Sequence, residues 1–257
     1  MHWELDAAWF GGWSGIEMAD KGNRMTVMND RGQMVHTTLQ REDGKITGVA
    51  VQSRVRLRDP GGSDLRGNDS DSEGLAIADD GSAYISFRIM QVDLTSGRTF
   101  GSVSLPFDNT LGSNSGIEAL AVSADGTLFA IPEQPPEDGG PFPVYTYHSG
   151  VWQTSAYIPQ RGPFVPVGAD FDPMGRLWLL ERAVTPLGFR SRIRLFVIDP
   201  VAPREFTVLT TAPLQFDNLE GISVWQDDHG QLRVTMVSDD NFLRFLRTQI
   251  VELSVIE

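Results

Sequence analysis

One unit of sequence recurs along this 257-residue chain, and that repeat limits the possible folds more than any other feature. Each copy opens on a small polar or acidic residue, follows it with Gly or Ala, and continues in alternating apolar positions. A turn, often Asp-Gly, then leads to a second apolar run. The copies begin Ser14-Gly15-Ile16, Glu73-Gly74-Leu75, Glu118-Ala119-Leu120, Val167-Gly168-Ala169 and Glu220-Gly221-Ile222, with Val167 breaking the polar rule. Their second positions are 59, 45, 49 and 53 residues apart.

Each unit has room for four short strands. In the second, residues 74–78 and 82–87 flank Asp80-Gly81, a pair that favours a tight hairpin, and 89–94 and 99–105 supply two more strands. In the fourth unit, 177–180, 193–198 and 206–210 repeat the layout after its opening strand. No stretch carries a sustained helical period. Four-stranded units of about 40–50 residues are blades of a β-propeller. The expectation is therefore an all-β, single-domain propeller over residues 1–257 with five blades. The last unit offers three strands ending at 249–255, so residues 2–5 are expected to supply its fourth and close the ring. A degenerate sixth blade inside the 59-residue first step is the alternative.

The first strand of a propeller blade lines the central channel, so the opening residues Ser14, Glu73, Glu118, Val167 and Glu220 should form a ring about the axis. Three carboxylates converging there repel one another unless protons or a cation neutralise them. Hard oxygen donors spread around a ring suit calcium, which makes Ser14, Glu73, Glu118 and Glu220 candidate ligands; hydrogen bonding between blades is the plainer role. A second register, near the end of each second strand, reads Asp30, Arg88, Glu133, Arg182 and Asp239. Arg88 and Arg182 are candidates to hold a phosphate or carboxylate group, and Asp30, Glu133 and Asp239 are candidate general bases. The same alternation of sign would also build an ion belt between blades. Residues 68–72, Asn-Asp-Ser-Asp-Ser, read as a solvated loop leading into Glu73. Arg54, Arg56 and Arg58 alternate on an expected outer strand, where guarding an edge against aggregation explains them better than anion binding.

Composition narrows the partners. With 21 basic and 34 acidic residues the formal charge is −13, which argues against gripping a nucleic-acid backbone or an anionic lipid surface. The lack of Cys removes disulfides, thiolate catalysis and Cys-based zinc sites. No apolar run reaches the ~20 residues of a membrane span, and residues 1–12 lack the basic and apolar regions of a signal peptide. The expected ligand is a small anionic molecule or ester, and the expected state a monomer.

Several motifs are familiar. Trp13-Ser14-Gly15-Ile16, Ser72-Glu73-Gly74-Leu75-Ala76, the 170–182 stretch ending Leu179-Leu180-Glu181-Arg182, and Asn218-Leu219-Glu220-Gly221 with Val237-Ser238-Asp239-Asp240-Asn241-Phe242 resemble the bacterial phytase-like family, described by an "esterase-like activity of phytase". The resemblance covers nearly the whole chain and implies a propeller in mostly exported proteins, hence a periplasmic or secreted location, with a cytoplasmic one as the alternative. The axial ring also resembles the calcium-activated nucleotidases, five-bladed propellers in which Ser and Glu from successive blades hold Ca²⁺. Ser14, Glu73, Glu118 and Glu220 match that pattern, and Asn29-Asp30-Arg31-Gly32 is similar to that family's Asp-Asp-Arg-Thr-Gly. Val167 stands where that family has Ser, so only a backbone carbonyl or water could serve there. Together these features point to a calcium-binding propeller that hydrolyses a phosphate or other ester at the channel mouth. A non-catalytic binding propeller with a structural ion is the alternative, and a lactonase-like enzyme a third reading.

Overall fold

The structure, a computed structural model, describes residues 1–67, 70–86, 89–103, 116–198, 204–243 and 245–256. Blade 1 comprises β1 (Trp13–Ala19), β2 (Arg24–Asn29), β3 (Gln33–Glu42) and β4 (Lys45–Arg56). Blade 2 comprises β5 (Leu75–Ile77), β6 (Ala83–Ile85), β7 (Met90–Val92) and β8 (Thr99–Ser102). Blade 3 runs from β9 (Ile117–Val122) and β10 (Leu128–Pro132) to β11 (Phe142–His148) and β12 (Val151–Ile158). Blade 4 holds β13 (Val165–Phe171), β14 (Leu177–Thr185), β15 (Gly188–Val197) and β16 (Arg204–Thr210). Blade 5 holds β17 (Asn218–Gln226), β18 (Leu232–Asp239) and β19 (Ile250–Ser254). Every strand pairs antiparallel with its neighbour in sequence, so each blade is a meander with its first strand at one edge. Those first strands pack on one another in a closed cycle, β1 on β5, β5 on β9, β9 on β13, β13 on β17 and β17 on β1.

The apolar core lies between blades rather than inside them. Leu177 and Leu179 pack toward blade 3 with Ala119, Ile131 and Val144, while Trp178 and Leu180 pack toward blade 5 with Leu219, Val234 and Met236. A strand buried on both faces needs a nearly continuous apolar run, which is why β14 opens Leu-Trp-Leu-Leu. Five such clusters fill the five seams.

The repeated Gly-or-Ala position has a steric cause. A Cβ on Gly168 would lie 2.5 Å from the backbone oxygen of Glu220, and one on Gly74 would lie 2.9 Å from that of Glu118. Neighbouring inner strands therefore approach too closely at this level for larger side chains.

The described residues between 57 and 74 form no sixth blade; the long first step is taken up by the β3–β4 hairpin and this connection. Closure of blade 5 is briefer than the full strand expected from residues 2–5. Backbone bonds Ile250 N–H to Met1 O (2.9 Å) and Trp3 N–H to Thr248 O (3.0 Å) make a single bridge, His2 to Gln249. Beyond it the chain is claimed by an aromatic cluster, in which Trp3 stacks on Trp13 at 5.4 Å and meets Phe10 edge-on at 4.9 Å. The blade 4 hairpin runs further than expected, through Glu181 and Arg182, for a reason given below. The one helical segment described is the three-residue turn Asp20–Gly22, and no described helix is long and apolar enough to cross a membrane.

Candidate functional site at the channel mouth

A β-bulge marks the opening residue in four of the five inner strands. In β1 the pairing jumps from Trp13 to Gly15, in β9 from Ile117 to Ala119, in β13 from Pro166 to Gly168, and in β17 from Leu219 to Gly221. The residue left out of the ladder is Ser14, Glu118, Val167 or Glu220. A bulge adds one unpaired residue and re-aims its side chain, so the axial ring is built by a local backbone device repeated around the propeller. In blade 2, Glu73 precedes β5, and Gly74 continues the ladder by accepting the Ser86 N–H at 2.9 Å.

The second register sits just outside this ring. Trp13 pairs with Asn29, Val165 with Arg182, and Asn218 with Asp239, and Glu133 N–H reaches Gly116 O, so Asp30, Glu133, Arg182 and Asp239 reach the same end of their blades. Arg88, and Asn68 and Asp69 of the Ser-Asp loop, lie outside the described residues.

Arg182 is the hub of what is described. Its guanidinium donates to Glu133 Oε1 at 3.0 Å, to Asn218 Oδ1 at 3.1 Å and to Glu220 Oε1, tying blade 4 to blades 3 and 5. Its Nε is buried without a partner. Ser14 Oγ donates to the backbone oxygen of Ser72 at 2.5 Å, tying blade 1 to the segment that enters Glu73. Asn29, fully buried, holds the Asp30 turn by accepting N–H bonds from Arg31 and Gln33 and donating to Gly11 O. Asp239 accepts the Asn241 N–H at 2.6 Å, and Asp240 accepts those of Gly12 and Phe242 at 3.0 Å each.

Carboxylates outnumber cations here, and their acidities record it. Burial, with repulsion from Glu118, Glu220, Asp71 and Asp30, pushes Glu73 up to about 10. Burial also raises Glu220 to about 8, although Arg182 pulls it down. Glu118 and Asp30 rise to about 7, each first by burial and then by a neighbouring carboxylate, Glu133 and Asp239 respectively. Burial lifts Asp239 to about 6 against the Asn241 N–H. Asp71, in the 68–72 run that the sequence shows leading into Glu73, is raised by burial while a hydrogen bond from Glu73 lowers it. Asp30 Oδ1 is buried with no hydrogen-bond partner. Among the described residues, no three His, Asp or Glu side chains form a group that could hold a metal ion as they stand.

The channel does not pass freely through the ring. At the glycine level the axis keeps a void of about 10 Å³, lined by Gly15, Gly74, Gly168 and Gly221 among others. That is about the least a water molecule occupies. Beyond it, at the opposite end, a pocket of about 350 Å³ holds a second carboxylate pair that sequence reasoning missed. Glu17 accepts the Ile77 N–H at 3.0 Å and a bond from Ser223 Oγ at 3.3 Å; Asp170 accepts the N–H groups of Phe171 and Val224 at 2.7 and 2.5 Å. Glu17, Asp170 and Ser223 each lie three residues after an opening residue, so the repeat register was their signal.

Burial raises Asp170 from 3.8 to about 7 and raises Glu17 well above its ordinary value, with Asp170 repelling it. The folded state then binds more protons than the unfolded one: the contribution of Asp170 is full below pH 3.8 and is lost as pH rises through about 7, and Glu17 acts in the same direction. Glu17→Gln with Asp170→Asn is expected to flatten the fall of melting temperature between those limits. A curve of unchanged slope would refute it.

Comparison with solved structures returns matches at low identity. A calcium-binding protein, regucalcin, from Agrobacterium tumefaciens is 11% identical with a TM-score of 0.51, covering 94% of this chain and 89% of that one. A gluconolactonase from Xanthomonas campestris is 15% identical at TM-score 0.48, covering 88% and 69%. The extracellular domain of a putative hybrid two component system from B. thetaiotaomicron is 11% identical at TM-score 0.47; the match takes 90% of this chain and spans 27% of that one. At 11% identity the likeness to regucalcin is one of fold alone. Comparison with curated proteins finds no match. The repeat, the Glu-Gly openings and the closing Ser-Asp-Asp-Asn-Phe segment fall together within residues 8–242, which match the model of the phytase-like family, "Esterase-like activity of phytase", and the chain belongs to that family.

Proposed function

We propose that the channel mouth binds calcium and hydrolyses a phosphate or other ester. The observation that carries this reading is the surplus of buried carboxylates around the axis. Glu73, Glu118, Glu220, Asp30 and Asp239 all hold protons abnormally tightly, with Arg182 and Arg31 as the cations acting on them. A divalent cation would relieve that repulsion, and the donor set fits one: every candidate is a hard oxygen, and Asp30 Oδ1 is an orphaned buried acceptor. Ser14, Glu73, Glu118 and Glu220 would hold calcium, which supplies a Lewis acid for a phosphoryl or carbonyl oxygen. Asp30 and Asp239, whose acidities sit near neutrality, are suited to move a proton to or from water, and Glu133 is the third candidate base. Arg182 orients Glu133 and Glu220 and supplies the positive charge that a substrate anion would meet. Arg88 is proposed as the second anion contact.

One observation favours a binding propeller without turnover. Arg182 already spends most of its donors inside the ion belt.

Calcium at 100-fold excess over its dissociation constant should stabilise the fold by ~2.7 kcal/mol, and a chelator should reverse this. Glu73→Gln with Glu220→Gln should abolish most of that response while leaving the sheet spectrum intact. An undiminished response would place the ion elsewhere. Turnover of phosphoesters, p-nitrophenyl esters or lactones, assayed with and without calcium, separates the enzyme from the binding module.

A further inference from the structure

Away from the axis, the outer edge of blade 1 carries a concentration of positive charge that runs against the protein's net charge of −13. Arg54 and Arg56 lie two apart on β4 and so share one face of the strand; Arg58 follows in the same alternation. They line a cleft of about 440 Å³ between blades 1 and 2, whose walls include Gln33 of β3 and Ser96 of the β7–β8 turn. The strand edge therefore does not simply face bulk solvent, as a purely protective edge would.

The cleft is held in place by its neighbours. Arg58 N–H donates to Gly97 O at 2.8 Å, and its carbonyl accepts the Thr99 N–H and Oγ1 at 2.9 Å each, which locks the end of blade 1 to blade 2. Arg54 donates from Nη1 to Gln33 Oε1 at 3.2 Å and lies 5.3 Å from the Trp9 ring. The one carboxylate lining the cleft is Asp64, 3.6 Å from Arg56 and 3.4 Å from Arg58, approached through Nε in both cases. Three guanidiniums thus face one loosely paired carboxylate. Arg56 pairs with Gln33 in the ladder, directly after the turn that carries Asp30, so the cleft opens on the same end of blade 1 as the channel mouth.

We propose that this cleft is an anion-binding site for a ligand carrying two or more oxyanion groups, phosphate or carboxylate. Guanidinium groups recognise both through paired, charge-assisted N–H bonds. Their surplus over Asp64 leaves at least two positive charges for the ligand. The site does not depend on calcium or on chemistry at the axis.

The test is calorimetric titration of the full chain, in calcium-free buffer, with pyrophosphate in one arm and citrate in the other. Saturable binding that weakens with added salt is expected in at least one arm, and the arm identifies the oxyanion. Arg56→Ala and Arg54→Ala should each weaken it about 10- to 100-fold, since both are exposed side chains whose loss leaves the core untouched. No saturable binding in either arm, or binding undiminished in the Arg54→Ala/Arg56→Ala variant, would overturn the proposal; the first outcome would return these arginines to edge protection alone.

Discussion

Replacing Glu181 by Ala is expected to destabilise the protein by about 3–5 kcal/mol, a drop in melting temperature of roughly 6–20 °C for a chain of this size. Glu181 is fully buried on β14, where it binds Arg194 at 2.6 Å through Oε1 and both Arg194 Nε (2.9 Å) and Arg192 Nε (2.6 Å) through Oε2. Arg194 is itself fully buried, and its remaining donors reach Pro159 O at 3.1 Å and Glu205 at 3.3 Å. Removing the carboxylate strands a positive charge in the seam between blades 3 and 4. Replacing Glu181, Arg192 and Arg194 together by apolar residues should recover much of the loss, because an apolar cluster of similar volume often matches a buried ion network. Chemical denaturation checks both; a single-variant loss below about 1 kcal/mol would mean that water reaches the network.

Arg182→Met should cost about 3 kcal/mol at neutral pH in the presence of a chelator. The side chains it would leave, Glu133 and Glu220, are only 22% and 11% exposed, and they face carboxylates already short of positive charge. Calcium should then raise the melting temperature of this variant more than that of the parent, since a cation replaces the missing charge. If Arg182 serves chiefly to grip substrate, stability should instead hold while kcat/KM falls about 10- to 100-fold. Melting curves and turnover measured on the same variant distinguish the outcomes.

The blades were legible because their signal is backbone-level: Asp-Gly turns, two-residue alternation, and a glycine or alanine where inner strands meet. The axial ring followed once the repeat was in phase. Strand ends were less legible wherever charge enters a strand. The run of β14 looked finished at Leu180 because Glu181 and Arg182 follow, yet the ladder continues to Thr185. Paired charges 11 and 13 residues away, Arg192 and Arg194, satisfy Glu181, and no one-strand pattern displays that. Residues 2–5 looked like a full strand because apolar residues alternate there, but Trp3 prefers the aromatic cluster of Phe10 and Trp13. At the mouth, residue types were readable while their commitments were not. The alternating signs of the second register allowed an ion belt that sets Arg182 against Glu133, but not that its other partner would be Glu220 of the axial ring rather than Asp239.

The placement of apolar clusters in the seams has a kinetic consequence. No blade owns a core, so none gains much by forming alone, and each becomes worthwhile only when a neighbour arrives. Four seams join blades adjacent in sequence. The fifth joins the two ends of the chain: Trp3, Trp13 and Val27 meet Val237 and Ile250, Met18 N–H finds Ser223 Oγ across 205 positions, and Arg41 pairs with Glu252 across 211. Contacts at such separation carry the largest loop-closure entropy and form late. The seam between blades 5 and 1 is therefore expected to zip last during folding, which makes it the latch of the ring.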